Sequence, residues 1–160
     1  MLKYFVFSFV ILLASFANCA EIVIDQNNPS YHNQRFGFAV AWSPGKYQVY
    51  EAENGDGITV TDDQGLKMQV YADLSPRVEE QSLDDFLKKA KAHPQAPYLK
   101  VDRANSYYAL SYIENDKIIY IKQYYGQDHY PTLYFEYPKK FKKFYDKLVN
   151  SAVRSFRPSF

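Results

Sequence analysis

The feature that most constrains the fold of this chain is a series of short runs rich in aromatic and β-branched residues. In the C-terminal half they span residues 98–102, 107–114, 117–125 and 132–137. Such residues favour half-buried pleated surfaces, and Asn115-Asp116 is typical of a tight turn between neighbouring strands. The pattern predicts consecutive strands of one sheet, in which alternate residues share a face.

Strand signals also occur in the N-terminal half. Residues 36–42 alternate large and small side chains and end at Ser43-Pro44-Gly45, which predicts a strand followed by a turn. Residues 57–62 and 66–72 flank Asp62-Asp63-Gln64-Gly65, so they predict a hairpin.

Two segments change to a helical period. Ser82 can cap a helix whose apolar face carries Leu83, Phe86, Leu87 and Ala90. Pro138 suits the first position of a second helix. The apolar stripe of this second helix consists of Phe141, Phe144, Tyr145, Leu148, Val149 and Ala152. Strands, a helix, more strands and a closing helix predict a single α+β domain, with a largely antiparallel sheet flanked by helices.

The first 20 residues have the order of a secretory signal peptide: a positive start, an apolar run and small residues. We therefore expect a signal peptide over residues 1–19, cleaved after Cys19 or Ala20, and a mature domain over residues 20–160. The protein is expected to be exported, with the periplasm as its compartment and no membrane-spanning segment in the mature chain. An extracellular location, or lipid anchoring through Cys19, is the alternative.

The charge balance excludes one class of partner. The chain has 19 Lys and Arg residues against 18 Asp and Glu residues, so no strong overall positive field attracts nucleic acid. The closing helix is locally basic, and this can favour an anionic surface or simply leave its lysines solvated while its apolar stripe packs on the sheet.

The sequence patterns typical of catalytic sites are either missing or explained by local structure. There is no Gly-x-Ser-x-Gly motif and no phosphate-binding glycine loop, and the three histidines are far apart in sequence. The acidic pairs at residues 62–63, 79–80 and 84–85 are explained by turns or helix starts, and the segment around Asn54, Asp56 and Gly57 lacks a principal EF-hand ligand. We expect no enzyme activity, no catalytic residue, no metal and no cofactor.

Four short motifs occur in a recognisable order along the chain. They are Arg35-Phe36-Gly37-Phe38, Asn54-Gly55-Asp56-Gly57, Phe135-Glu136-Tyr137-Pro138 and Ser155-Phe156-Arg157-Pro158. In this arrangement the chain resembles small exported bacterial proteins of the PsbP-like fold, which includes the photosystem II extrinsic protein and a Ran-binding nuclear import factor. The resemblance spans residues 31–158 and implies an antiparallel sheet flanked by helices, in proteins that mostly bind or scaffold partners.

The density of tyrosine in the strands adds a candidate binding face. Strand alternation predicts that one face carries Tyr108, Leu110 and Tyr112. It also predicts one row that consists of Tyr120, Lys122 and Tyr124. Tyrosine is enriched at interfaces, although cross-strand packing explains the same crowding.

From these observations we expect a non-catalytic binding or accessory module that recognises another cell-envelope protein, as a monomer or a dimer. The expected contact residues are Asn54, Asp56, Tyr120 and Tyr124. The alternatives are an immunity-type protein that neutralises a periplasmic toxin, a small-molecule carrier and an envelope hydrolase.

Overall fold

The fold was analysed in a computed structural model, which describes residues 19–74 and 82–159. The predicted signal peptide lies, except for Cys19, outside the described residues, as does the acidic pair Glu79-Glu80. Export and the cleavage point therefore stay predictions.

Within the described ranges the chain forms eleven strands and two α-helices. The strands are β1 Cys19–Glu21, β2 Ser30–Asn33, β3 Phe38–Ala41, β4 Gln48–Ala52, β5 Gly57–Thr61, β6 Lys67–Asp73, β7 Tyr98–Asp102, β8 Tyr107–Glu114, β9 Lys117–Tyr124, β10 Tyr130–Pro138 and β11 Arg157–Pro158. The helices are α1 Leu83–Lys91 and α2 Lys142–Ser155.

The strands form two antiparallel sheets. The main sheet has eight strands in the order β1-β4-β5-β6-β10-β9-β8-β7, and the small sheet has the order β11-β3-β2. Every pairing in both sheets is antiparallel. The prediction of an α+β domain with a largely antiparallel sheet flanked by helices is confirmed.

The core lies between two layers. One layer consists of α2 and the small sheet, and the other is one face of the main sheet, which we call the covered face. Val60, Met68 and Phe135 project from the covered face and are fully buried. Phe38 from the small sheet and Phe156 from the end of α2 pack against each other in the same cluster, with ring centroids 6.3 Å apart. Burial of one face strongly specifies strand register, because a one-residue slip would expose every core residue of that strand.

Helix α1 packs on the opposite face, which we call the open face. The helix begins as predicted at the Ser82 cap, whose hydroxyl accepts a hydrogen bond from the Asp85 amide at 3.3 Å. Phe86 of α1 contacts Tyr108, Tyr125 and Tyr130, with ring centroids 5.2 to 5.4 Å apart. Helix α1 therefore covers the end of the open face formed by β7 and β8.

The second helix differs from its prediction in two details. Pro138 is the last residue of β10, and α2 begins at Lys142 after a 3-10 turn over Lys139–Phe141. Phe144 is 68% exposed, because it lies at the edge of the stripe formed by Tyr145, Leu148 and Ala152.

Gly57 is the glycine with the least room for a side chain in the main sheet. A Cβ at this position would overlap the carbonyl oxygen of Val70 and lie 2.6 Å from the Cα of Tyr71. We expect Gly57→Ala to lower the free energy of unfolding by about 3 kcal/mol, because the backbone of β6 would have to move. Gly55, with φ of 64° but open space around it, is the matched control.

Urea unfolding of the two variants tests this difference. Gly55→Ala should cost only about 1 kcal/mol, the cost of a left-handed residue that carries a Cβ. Equal unfolding midpoints for wild type and Gly57→Ala would contradict the close approach of β5 and β6.

Buried phenols make the fold sensitive to alkali. Burial raises the pKa of Tyr108 and Tyr137 from 10.0 to about 12. Because these pKa values are higher in the folded state, the stability they contribute is complete below pH 10 and is lost as the pH rises through about 12.

We therefore expect the free energy of unfolding to fall between about pH 8 and about pH 11, measured by urea unfolding at both values. Tyr137→Phe keeps the buried ring and removes one titrating group, so its loss over this interval should be smaller than that of wild type. An equal loss would show that Tyr137 does not titrate as its burial predicts.

Candidate binding surface

The strand register separates the tyrosines into two sets. The register between β8 and β9 pairs Tyr107 with Tyr124, Ala109 with Lys122 and Ser111 with Tyr120. The residues that alternate with these along β8 are Tyr108, Leu110 and Tyr112, which therefore lie on the other face. The two predicted rows are therefore confirmed. Tyr108, Leu110 and Tyr112 belong to the open face, whereas Tyr120, Lys122 and Tyr124 belong to the covered face.

Two of the four expected contact residues thus lie on the covered side of the sheet. Tyr124 is only 6% exposed and packs against Tyr107 and Phe156, with ring centroids 5.2 and 5.6 Å apart. Tyr120 is half-buried against Phe135. The expectation that this row faces a partner is corrected for Tyr124, because strand alternation shows which residues share a face but not which face a helix covers.

The outward tyrosines lie instead in the part of the open face that α1 leaves uncovered. One row crosses four neighbouring strands there: Tyr50, Thr59, Gln69 and Tyr134 are paired in register. All four side chains are half-buried, so each keeps part of its surface in contact with solvent. Gln69 donates a hydrogen bond to the Thr59 hydroxyl at 3.2 Å, so part of the row is held in place before any contact.

Charged groups fix Tyr134 at the end of this row. Its hydroxyl donates a hydrogen bond to Glu136 at 2.8 Å, and the ammonium of Lys67 lies 5.8 Å from its ring centroid. Glu136 also forms an ion pair with Lys117. Burial, followed by the hydrogen bond to Glu136, raises the pKa of Tyr134 well above its usual value, so its phenol stays neutral near neutral pH.

The loop between β4 and β5 carries the other two expected contact residues. Asn54 is exposed and Asp56 half-buried, and they are linked by an amide–carboxylate hydrogen bond of 2.7 Å. The Asn54 side chain also accepts a hydrogen bond from the Asp56 amide at 3.2 Å, while Gly55 has φ of 64°. These contacts form a local turn whose polar groups largely satisfy one another.

The first two sequence motifs meet at this loop. Arg35 donates a hydrogen bond to the Asn54 carbonyl at 2.7 Å, and Asn33 donates one to the Gly55 carbonyl at 2.9 Å. Asn33 is only 4% exposed and also accepts a hydrogen bond from the Phe36 amide at 3.0 Å. Sequence reasoning gave no role to Asn33, which joins the small sheet to the loop.

A shallow depression connects the loop to the open face. It measures about 220 Å³ and lies among Asp56, Gly57, Thr59, Gln69 and Tyr71. We use the name open-face site for the depression together with the row Tyr50, Thr59, Gln69 and Tyr134 and the loop residue Asn54.

Several of the acidic and histidine side chains are engaged in structural contacts. Asp62 accepts hydrogen bonds from the Tyr145 hydroxyl at 2.8 and 3.0 Å and from the Leu66 amide at 3.0 Å. His93 packs on Tyr112, and His129 lies 2.8 Å from the Phe36 carbonyl. In the described part of the chain, no three His, Cys, Asp or Glu side chains are close enough together to hold a metal ion.

The fold is PsbP-like. The comparison that establishes this is with the solution structure of cyanobacterial PsbP (CyanoP) from Synechocystis sp. PCC 6803, with a TM-score of 0.55 and 10% sequence identity. The match covers 82% of this chain and 92% of that one. The resemblance predicted from the four motifs is confirmed for the fold, which is all that similarity at this level of identity shows.

Sequence comparison adds no closer relation. No protein family model matches the chain, and no curated protein sequence matches it. Among residues 19–74 and 82–159, no helix is long and apolar enough to cross a membrane.

The buried amide of Asn33 is the contact that we expect to hold the loop in place. Asn33→Ala leaves the Gly55 carbonyl and the Phe36 amide without this partner, which should lower the free energy of unfolding by about 1–3 kcal/mol. Amide hydrogen exchange should also accelerate at residues 53–57. The exposed Asn28 provides a control, and Asn28→Ala should change both quantities little. Equal effects of the two substitutions would contradict the role of Asn33.

Proposed function

We propose that this protein is an exported, non-catalytic module that binds another protein of the cell envelope through the open-face site. Export is inferred from the signal-peptide pattern of residues 1–20. The fold supports an accessory role only by analogy, since proteins of one fold serve unrelated functions. The observation that carries the proposal is the row across β4, β5, β6 and β10, which neither α1 nor α2 covers and whose side chains are partly accessible to solvent.

The chemistry of the open-face site suits a protein partner. Tyrosines offer a large contact area with few rotatable bonds and a hydroxyl that can stay hydrated until contact, which is why they are enriched at interfaces. The amide of Gln69 and the hydroxyl of Thr59 supply polar partners beside Tyr50 and Tyr134. The row is broad and shallow, as protein interfaces are, whereas small-molecule sites are concave.

The depression at Gly57 supplies a place for an anchoring side chain. Interface energy is concentrated in a few side chains that fill well-packed pockets. A side chain of the partner that enters this depression would contact the ring of Tyr71 and lie beside the carboxylate of Asp56. Asn54 would then contact the partner at the rim. Tyr120 and Tyr124 contribute to this function only through the core that supports the sheet.

Site-specific photo-crosslinking in the intact cell tests the surface directly. A photoreactive side chain placed at Thr59 or at Gln69 should give the same discrete crosslinked protein. The same group placed at Lys143, which is exposed on α2, should not give it. If all three positions give identical adducts, the crosslinking is non-specific and the proposed binding face is wrong.

Competition separates binding from loss of fold. Excess purified mature protein should abolish the Thr59 adduct, and the double variant Tyr71→Ser, Tyr134→Ser should compete about tenfold less well, corresponding to about 1.4 kcal/mol. Tyr112 lies on the same face but packs against His93 and not beside the depression. Tyr112→Ser is therefore the matched control and should compete as wild type does. Unchanged competition by the double variant would contradict the role of the open-face site.

A further inference from the structure

A second cavity lies on the covered face, beyond the end of α2. It is open to solvent, measures about 590 Å³ and is separate from the open-face site. Strands β7, β8 and β9 form its floor, and the C-terminal strand β11 forms one wall. Its lining includes Lys100, Asp102, Ser106, Tyr107, Lys122 and Arg157. A volume of this size is typical of small-molecule sites.

The unusual group in this cavity is Lys122. It is only 6% exposed, although lysine is rarely buried without a charged partner. Its ammonium donates a hydrogen bond to the Val153 carbonyl in the last turn of α2, at 3.3 Å. It also lies 4.7 Å from the ring centroid of Tyr107 and 4.9 Å from that of Tyr124. These contacts partly replace hydration, but none of them supplies a full negative charge.

No carboxylate in the described part of the chain forms an ion pair with Lys122. The acid that lines the cavity, Asp102, pairs instead with Lys100 at 3.7 Å. Arg157 lines the cavity from β11. Three cationic side chains against one carboxylate leave the cavity with a local net charge of +2.

The pKa of Lys122 reflects this imbalance. Burial, followed by the positive charges of Arg157 and Lys100, lowers it from 10.5 to about 8, and Asp102 opposes the shift only weakly. The charged and titratable groups around Lys122 are Lys100 and Asp102 on β7, Tyr107 on β8, Tyr124 on its own strand and Arg157 on β11. An anion placed beside the ammonium would favour its protonated form and raise its pKa.

Capping of α2 explains only part of this arrangement. A lysine near a helix C-terminus interacts favourably with the last carbonyls, and Val153 occupies one of the three donors of the ammonium. The cap requires neither an open cavity beside the lysine nor Lys100 and Arg157 around it. These features fit a ligand that brings its own negative charge.

We propose that this cavity binds a small organic anion, a carboxylate or a phosphate monoester, with its charged group held by Lys122 and Arg157 and its body against the ring of Tyr107. The site is independent of the open-face site, which lies on the opposite face of the sheet. It therefore adds a ligand-binding activity to the proposed protein-binding function.

Titration of the mature domain with small anions, followed by heteronuclear NMR, tests this site. The probes are benzoate and phenyl phosphate, with benzamide as the neutral analogue of the carboxylate. Benzoate or phenyl phosphate should shift the amide signals of Ser106, Tyr107 and Arg157, and the tighter of the two identifies the preferred anion. Benzamide at the same concentration should leave these signals unchanged. If neither anion shifts them, the proposal is wrong.

Variants assign the binding to the buried lysine. Lys122→Met keeps an unbranched side chain in place and should weaken the tighter anion by about tenfold or more. Lys143→Met removes the same charge from the exposed side of α2 and should leave the affinity unchanged. If Lys122→Met does not fold, Arg157→Gln, at an exposed position, should still weaken binding several-fold. Wild-type affinity in the folded Lys122→Met or in Arg157→Gln would overturn the site.

The pH dependence gives a separate readout of the same lysine. Affinity for benzoate should fall in wild type as the pH rises from about 7 to about 9, because the cation that holds the anion is then deprotonated. In Arg157→Gln the affinity should be lower and still fall over this interval. A flat profile in wild type would exclude Lys122 from the site.

Discussion

The packing of α2 against one face of the main sheet is the contact on which the other features depend. Tyr145, Leu148 and Ala152 bury the apolar stripe of the helix, and this makes one side of an eight-stranded sheet the interior of the protein. Because strand side chains alternate, the same contact places Tyr50, Gln69 and Tyr134 on the other side. The main sheet therefore has an open face because α2 packs on the opposite one.

The two candidate sites use this asymmetry differently. On the open face, α1 reaches only the β7 and β8 end, so broad contact with a macromolecule is available over β4 to β6. On the covered face, α2 ends before it reaches β7, and a concave space remains beside Lys122. One site is broad and shallow, whereas the other is concave and positively charged. The difference follows from where each helix stops.

Much of the fold could be predicted from sequence. β7 and β8 match the predicted runs, and Asn115-Asp116 adopts the positive φ angles expected of a tight turn. Short strands such as β4 and β11 were not predicted, because their sequences lack clear alternation and they are defined by their partners. The position of Tyr124 on the covered face could not be predicted either, because alternation does not reveal which face α2 covers. Lys122, between two tyrosines of one row, was the available signal of the cavity, but it resembles a solvated lysine in any amphipathic strand.

The position of α2 and β11 after all the strands of the main sheet has a consequence for folding. Strand β3 pairs with β11, the Gly37 carbonyl accepts a hydrogen bond from the Ser159 amide at 2.6 Å, and Phe156 completes the core. Every strand of the main sheet precedes these residues, so the covered face of the sheet stays exposed until residues 142–158 have been synthesised and have packed on it. A folding intermediate with such an exposed apolar face is prone to aggregation.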